Sequence, residues 1–290
     1  THALLATLLP SMGITTTFVD PRHPEQFEQA IRPNTRVFYT ETVGNPTLKV
    51  ADIPALADIA HARDIALVVD NTFTPLILTP AALGADVVVH SLTKFINGAS
   101  DLVAGVICCS KELQLQLMDL HKGRVMLLGP TMDTRVAFDI IQRLPHLDVR
   151  MKEHSRRALA IASRLEQLGA PVTFPGLASH PQHGLLAGMA NPEYGFGGIL
   201  TLDAGTQDRA EQLMVILQNE MSFGYIAVSL GYFDTLMSCS GSSTSSEIPP
   251  EDQAKMGLSQ GLLRISIGLT GRLRDRVEQM TAAVKKAGIV

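Results

Sequence analysis

Hydrophobic and polar positions follow two periodicities along the first 110 residues. Apolar, largely β-branched runs predict four strands, in TRVFYTET (35–42), IALVVDNTF (65–73), DVVVHSL (86–92) and VAGVICCS (103–110). After the first run, Asp52 is placed to cap a helix whose apolar face has the i, i+3, i+4, i+7 spacing of Ile53, Leu56, Ala57 and Ala60. Strands that are apolar on both faces and alternate with helices predict a mainly parallel sheet, covered on both sides.

The pattern changes near residue 145. A long amphipathic helix follows, which ends at Gly169 and carries one apolar stripe of Ala158, Ile161, Leu165 and Leu168. After it come a strand in GGILTLD, a helix in DRAEQLMVILQN, a strand in LLRISIGL and a final amphipathic helix. We therefore predict an α/β protein with a large domain over residues 1–144 and a smaller α+β domain over residues 145–290.

Composition narrows the class of protein. The 290 residues are 46% hydrophobic, and 24 Lys and Arg stand against 28 Asp and Glu, for a formal net charge of -4. This balance lacks the basic surface that nucleic acids or anionic membranes require, and no apolar run is long enough to span a bilayer. Cys108, Cys109 and Cys239 form neither a disulfide framework nor a C-x-x-C motif, so we expect thiols in a reducing cytoplasm.

Three polar side chains follow three of the predicted strands. Asn45, Asp70 and Lys94 each come just after an apolar run, and ligands of parallel α/β sheets bind beyond the carboxyl ends of the strands. In most proteins a strand-end lysine reaches solvent and a strand-end aspartate caps a turn. Here Lys94 is preceded by Ser91 and Thr93, whose hydroxyls can bind a phosphate, and a partly desolvated lysine can form a Schiff base with a carbonyl.

One common cofactor meets these requirements. Pyridoxal 5'-phosphate carries an aldehyde, which Lys94 can attack, and a phosphate, which the neighbouring hydroxyls can bind. It also needs a carboxylate that keeps its pyridine nitrogen protonated. Asp70 follows the preceding strand, with room for one crossover before Lys94. The sequence therefore predicts a pyridoxal-phosphate site built on Lys94 and Asp70.

Five motifs along the chain support a family resemblance. They are ETVGNP, VVDNTF, HSLTKFINGASD, AVSLG and LLRISIG, in this order. On these motifs the chain resembles the pyridoxal-phosphate enzymes of Cys/Met metabolism, the relatives of cystathionine γ-synthase, cystathionine γ-lyase and methionine γ-lyase. The resemblance covers nearly the whole chain, and THALLATLLPSMGITTTFVD, GPTM and MSCSGSSTSSE are most similar to the methionine γ-lyase branch. It implies the fold type I architecture of aspartate aminotransferase and a homotetramer made of two active dimers.

The resemblance also implies roles for the residues at the strand ends. Lys94 would hold the cofactor covalently and shuttle protons, and Asp70 would contact the pyridinium nitrogen. Asn45 would lie near the ring hydroxyl. Ser91 and Thr93 would contact the phosphate.

Substrate-binding residues are implied in the second half of the chain. Arg264 in LLRISIG would hold the substrate α-carboxylate through a bidentate guanidinium, helped by Ser229, and Thr244 would lie near the substrate pocket. Val228 occupies the position where the cystathionine enzymes have a glutamate, so an apolar contact suited to a thioether methyl replaces a polar one. These residues imply a carbon–sulfur lyase that converts L-methionine to methanethiol, 2-oxobutanoate and ammonia by α,γ-elimination.

Other interpretations stay open at this level. Within the family, the chain could instead catalyse γ-replacement on an activated homoserine, as sulfhydrylases and cystathionine γ-synthase do. It could also be a truncated, non-catalytic relative. A metal site on His180 and His183 in SHPQH, or on His61 and His90, is disfavoured because no acid lies near the first pair in a helical pattern and a proline separates them.

The chain departs from the family pattern near the lysine and at its start. Val43, Phe95 and Ala99 stand where the family usually has proline, tyrosine and histidine. An N-terminal arm, a phosphate-binding loop and a ring-stacking tyrosine precede the family position that corresponds to Thr1. We therefore expect Thr1 to lie inside a longer natural protein.

Overall fold

Two β-sheets occupy successive parts of the sequence. A computed structural model describes residues 1–240, 253 and 257–290. Within these residues the strands are β1 (Val37–Glu41), β2 (Ala66–Asp70), β3 (Val87–Ser91), β4 (Gly105–Cys109), β5 (Val172–Thr173), β6 (Ile199–Asp203), β7 (Tyr225–Ile226), β8 (Leu236–Cys239) and β9 (Leu262–Ser266). The α-helices are α1 (Leu9–Ser11), α2 (Pro24–Gln29), α3 (Ile53–His61), α4 (Lys111–Leu117), α5 (Arg124–Leu128), α6 (Thr134–Arg143), α7 (Leu147–Gln167), α8 (His183–Met189), α9 (Gln207–Val215) and α10 (Leu273–Lys286).

The first sheet brings three strand ends to one edge. Its order is β1-β2-β3-β4, and β1, β2 and β3 run parallel. Glu41 at the end of β1 lies beside Asp70 at the end of β2, and Asp70 lies beside Val89 of β3. The carboxyl ends of these three strands form an edge that we call the rim. Residues predicted to follow the strands therefore meet there.

The fourth strand differs from the prediction. β4 pairs antiparallel with β3, and Ser91 lies opposite Gly105. A parallel return needs a crossover of about a dozen residues or more, usually with a helix, whereas residues 92–104 hold only turns and irregular backbone. The prediction of a sheet covered on both sides is wrong at β4, because Ile107 and Cys108 are exposed.

Helix α3 forms and packs as its spacing predicts. The Asp52 carboxylate accepts a hydrogen bond from the Ala55 N–H at 3.1 Å, which caps the helix. The four predicted apolar positions of α3 are buried and pack against the interior residues of β2 and β3, such as Leu67, Val69 and Val88. Burial of a Leu, Ile or Val side chain in this cluster stabilises the fold by about 1.5–3 kcal/mol.

The second sheet is mainly antiparallel and places β9 at its centre. Its order is β5-β6-β9-β8-β7, in which β7 and β8 form the parallel pair. Helix α7 lies on this sheet through Ala158, Ile161 and Leu165, which confirms the predicted stripe. The chain leaves the helix through Gly169, whose φ of 77° is in the left-handed region that glycine adopts without a steric penalty.

Besides the packing of α3 and α7 on the sheets, a further cluster of buried residues lies between the two sheets. Phe95 and Ile96, next to Lys94, pack in it with Ile140 of α6, Met151 of α7 and Ile199 of β6. Helix α7 therefore contacts both the turn that carries Lys94 and the second sheet. The chain is a mixed α/β protein, and its division at residues 144 and 145 stays a prediction. None of the helices in the described ranges combines the length and hydropathy needed to cross a bilayer.

Candidate active site

Lys94 lies in a tight turn directly after β3. The Lys94 N–H donates to the Ser91 carbonyl at 3.2 Å, and the Gly98 N–H donates to the Lys94 carbonyl at 2.8 Å. The side-chain Nζ donates to the Ser229 hydroxyl at 3.1 Å. Burial of the half-buried amine, and secondarily the nearby Arg264 charge, lower the pKa of Lys94. A lowered pKa makes a lysine a better nucleophile and base near neutral pH.

Arg264 connects this turn with the residue that follows β1. Its Nη1 donates to Asn45 Oδ1 at 3.0 Å. Its Nη2 donates to the carbonyls of Val228 at 2.9 Å and Ser229 at 3.1 Å. Only 2% of Arg264 is exposed, and this burial lowers its pKa to about 10. Lys94, Ser229, Arg264 and Asn45 thus form one hydrogen-bonded network.

Asp70 is held at the rim by neutral donors. The Thr72 N–H donates to its Oδ1 at 2.9 Å, and the Tyr39 hydroxyl donates to its Oδ2 at 3.2 Å. Thr72 also accepts a hydrogen bond from the Ser91 N–H at 2.8 Å, which ties Asp70 to the strand that leads to Lys94. Burial, and secondarily the Asp70 charge, raise the pKa of Tyr39.

Sequence reasoning misses three residues that position the predicted ones. Thr72 could be found from its place two residues after Asp70, which is an Asx-turn spacing. Tyr39 carries no local signal, because its contact depends on the register of β1 and β2. Glu41 accepts a hydrogen bond from the Asn45 N–H at 2.8 Å, and burial raises the pKa of its carboxyl to about 7, although that hydrogen bond opposes the shift.

The two predicted phosphate-binding hydroxyls lie near the turn. Both Ser91 and Thr93 are half-buried. Thr93 Oγ1 accepts a hydrogen bond from the Ala104 N–H at 3.1 Å and lies 3.4 Å from the Ala104 carbonyl, so it also holds the connection to β4. Their role toward a phosphate stays a prediction.

The structure describes one of the two predicted pocket residues, Val228 and Thr244. Val228 presents its carbonyl to Arg264, while 64% of the residue is exposed. Its backbone therefore belongs to the network of Arg264, and much of the residue is open to solvent. Thr244 lies outside the described residues.

Three of the four histidines considered for a metal site make other contacts. His183 Nδ1 lies 2.9 Å from the Pro175 carbonyl, and His180 Nδ1 accepts a hydrogen bond from a backbone N–H at 3.1 Å. His61 Nε2 lies 3.1 Å from Asp86 Oδ2. In the part of the chain that the structure describes, no three His, Cys, Asp or Glu side chains are arranged to hold a metal ion.

Three charged groups at the rim have no ionic partner among the described residues. Lys94 contacts a hydroxyl, Asp70 accepts from an amide and a phenol, and Arg264 donates to an amide oxygen and two carbonyls. Charged groups that are withdrawn from water are ordinarily paired. A protonated pyridine ring, an aldehyde and a carboxylate would complement Asp70, Lys94 and Arg264 respectively. The residues therefore fit pyridoxal 5'-phosphate together with an α-amino acid.

Comparisons with known proteins agree with this chemistry. A family model described as Cys/Met metabolism PLP-dependent enzyme matches residues 1–285. Methionine gamma-lyase of Arabidopsis thaliana is 52% identical over 285 residues, which are 98% of this chain and 65% of that protein. Cystathionine gamma-lyase of Bacillus subtilis is 37% identical over 273 residues, covering 93% of this chain and 69% of that protein.

A third relative shows the same coverage. L-methionine gamma-lyase of Porphyromonas gingivalis is 39% identical over 291 residues, covering 98% of this chain and 69% of that protein. The chain thus spans about two thirds of the length of the curated relatives it matches.

Proposed function

Because the chain belongs to the Cys/Met metabolism PLP-dependent enzymes, we propose that it performs α,γ-elimination of L-methionine to methanethiol, 2-oxobutanoate and ammonia. Pyridoxal 5'-phosphate is the cofactor of this family. The names of two similar proteins, the methionine gamma-lyases of Arabidopsis thaliana and Porphyromonas gingivalis, support methionine as the substrate. The observation that carries the proposal is the set of three unpaired charges of Lys94, Asp70 and Arg264 at the rim.

Each of these charges has a distinct task. When bound, the cofactor withdraws electrons from the substrate α-carbon and so makes its C–H bond acidic. Lys94 Nζ accepts and returns protons at the substrate, because its pKa is lowered and its hydrogen-bond partner is the neutral Ser229. Asp70 keeps the pyridine nitrogen protonated. Arg264 holds the substrate carboxylate through its planar guanidinium.

Val228 supports methionine as the substrate. A valine side chain offers a thioether methyl an apolar contact and offers the distal amino group of cystathionine no charge partner. The similarity to a cystathionine gamma-lyase supports cystathionine as the second candidate substrate. A γ-replacement on an activated homoserine uses the same rim residues and is the alternative reaction.

We propose the large-scale organisation on the same grounds. The fold is the type I architecture of aspartate aminotransferase, with a mainly parallel large domain over residues 1–144 and a smaller α+β domain over residues 145–290. The protein assembles as a homotetramer of two active dimers in the cytoplasm. Sedimentation equilibrium on the purified protein tests the assembly, because a monomer or a dimer would contradict it.

Product analysis tests the reaction. The purified protein with added pyridoxal 5'-phosphate is incubated with L-methionine, and methanethiol and 2-oxobutanoate are measured. Parallel reactions contain L-cystathionine, or O-acetylhomoserine with sulfide. We expect both products from methionine in equal amounts, and none from the Lys94→Ala variant. Rapid sulfide incorporation without methionine cleavage would assign γ-replacement instead, and cleavage of cystathionine alone would assign the second candidate substrate.

A further inference from the structure

Three buried polar side chains form a row along one face of α7. Arg150, His154 and Arg157 have the i, i+4, i+7 spacing of one helix face and are 9%, 0% and 7% exposed. Each of them makes hydrogen bonds to main-chain carbonyl groups. In the sequence RMKEHSRR these residues look like a solvated, charged stretch, so their burial needs an explanation.

The first member of the row holds the turn that carries Lys94. Arg150 donates from Nη1 to the Phe95 carbonyl and from Nη2 to the Ile96 carbonyl, the latter at 2.8 Å. These are the two carbonyls that directly follow Lys94. The guanidinium also fills the space beside Gly98, where an added Cβ would lie 2.5 Å from Arg150 Nη1.

Arg150 has no carboxylate partner among the described residues. Its Nε donates to His146 Nδ1 at 2.8 Å, and its other partners are carbonyls. A buried guanidinium without a counter-charge is costly unless its donors are satisfied. Two neighbouring carbonyls match the planar, forked donors of arginine, a geometry that lysine cannot provide.

The rest of the row holds the chain that follows Arg264. His154 Nδ1 lies 2.6 Å from the Ile267 carbonyl, and because a carbonyl only accepts, Nδ1 carries the proton. Arg157 donates to the carbonyls of Thr270 at 2.8 Å and Gly271 at 2.6 Å. Ile267 directly follows β9, the strand of Arg264, and Thr270 and Gly271 lie four and five residues beyond the end of that strand. Helix α7 thus binds the backbone next to Lys94 and the segment that follows the strand of Arg264.

We propose that the buried row on α7 sets the position of Lys94 relative to Arg264, and that Arg150 is the positioning residue for the lysine. The inference rests on the proposed function, in which Arg264 binds the substrate carboxylate and Lys94 transfers the proton. Both groups act on one small amino acid, so their separation decides whether Nζ reaches the α-carbon. A misplacement of about 1 Å at a reacting group can lower the rate about 100-fold.

The test compares three variants of the purified protein with added pyridoxal 5'-phosphate. Arg150→Met removes the guanidinium and its paired N–H donors. Arg150→Lys keeps the positive charge but not the paired donors. Arg274→Met is the control, because Arg274 lies on helix α10, is exposed and pairs with Glu278 rather than with a neighbour of the row. For each variant we measure cofactor bound to Lys94, the pH titration of the absorbance band of that lysine-bound cofactor, and kcat and KM for methionine.

We expect Arg150→Met and Arg150→Lys to lower kcat per bound cofactor about tenfold or more, with a change in KM below about threefold. The titration midpoint of the absorbance band should move by about half a pH unit or more, because the amine changes its surroundings. Arg274→Met should match the wild type in every measurement.

A purely structural role would give a different result. The inference is wrong if the Arg150 variants lower only the melting temperature and keep both kcat per bound cofactor and the titration midpoint. If Arg150→Met does not fold, Arg150→Lys decides by the same criteria. A wild-type protein that binds the cofactor at Lys94 but leaves methionine intact contradicts the proposed function alone, and the titration midpoint of the variants then decides the inference.

Discussion

The Lys94 amine donates to the Ser229 hydroxyl at 3.1 Å, although 135 positions separate the two residues in the sequence. Lys94 follows β3 of the first sheet, and Ser229 lies between β7 and β8 of the second. This hydrogen bond therefore joins the two sheets at the rim. It also gives the lysine a neutral partner, which orients the amine without the stabilisation that a carboxylate would give to its charged form.

Replacement of Ser229 should change the titration of the lysine. Ser229→Ala removes the acceptor that favours the charged amine, so the pKa of Lys94 should fall further below its ordinary value. We measure the rate at which pyridoxal 5'-phosphate modifies Lys94 as a function of pH. This pH profile should keep its shape and shift to lower pH. Ser179→Ala, which removes an exposed hydroxyl bonded to Glu166, is the control and should leave the profile unchanged.

The charge of Asp70 should set the affinity for the cofactor. Asp70→Asn removes the charge that would pair with a pyridinium and keeps a side chain of the same size. Since a hydrogen bond to a charged group contributes about 1.5–3 kcal/mol, we expect the cofactor Kd to rise about tenfold or more. Fluorescence titration measures this Kd. Asp64→Asn replaces an exposed aspartate in a turn and should leave it unaltered; equal effects of both variants would rule out a specific role for Asp70.

Arg264 should be sensitive even to a conservative change. A lysine at this position keeps one charge but cannot satisfy Asn45 and two carbonyls together, and it cannot bind a carboxylate with two parallel hydrogen bonds. We expect Arg264→Lys to lower kcat/KM for methionine about 30-fold or more. Steady-state kinetics check this, with Arg274→Lys as the control because Arg274 forms an exposed ion pair with Glu278. Wild-type kinetics in Arg264→Lys would contradict the assigned role.

Gly231 packs against the backbone of the turn that carries Lys94. It adopts a φ of 73°, and an added Cβ would lie 2.4 Å from the Phe95 nitrogen, next to Lys94. Gly231→Ala should therefore displace the turn, lower the free energy of unfolding by more than about 2 kcal/mol and slow the modification of Lys94. Gly184→Ala in α8, where a Cβ meets nothing within 4 Å, should be neutral or slightly stabilising in the same urea titrations.

His154 should make the fold sensitive to acid. Burial lowers the pKa of this histidine to about 4 in the folded chain, against an ordinary value of 6.5, although its hydrogen bond to the Ile267 carbonyl opposes the shift. The unfolded chain therefore takes up this proton at a higher pH than the folded chain does. Stability should be lost as the pH falls from about 6.5 to 4, by about 3 kcal/mol in total.

Urea unfolding at several pH values measures this loss. Glu41 acts in the opposite sense, because its pKa is raised to about 7 and its contribution is lost as the pH rises through that value. The difference between wild type and His154→Gln isolates the histidine, and it should shrink on acidification. A difference that stays constant with pH for His154→Gln would contradict the prediction.

Regular spacing makes part of this fold predictable. The stripes of α3 and α7 and the apolar runs of β1, β2 and β3 repeat often enough to define a period, and each of these elements forms. The strands β5 and β7 have two residues each and cannot show a period. The direction of β4 depends on the connection before it rather than on its own residues.

The site is predictable where the fold class dictates position. The placement of Lys94 and Asp70 at one rim can be predicted from the sequence, because the carboxyl ends of parallel strands meet at the same edge of a sheet. Their roles toward a cofactor stay predictions. Arg264 cannot be found in this way, since its partner Asn45 lies 219 positions away and only the family resemblance points to it. Arg150 escapes sequence reasoning because a charged residue on a helix is usually exposed.

The unpaired charges at the rim also affect the stability of the folded chain. Groups that are suited to a ligand rather than to one another lower the stability of the ligand-free chain. A ligand that binds only the folded state, at a concentration 100 times its Kd, adds about 2.7 kcal/mol to that stability. Because proteases degrade the unfolded fraction, we expect the cellular lifetime of this protein to follow the supply of its vitamin-derived cofactor.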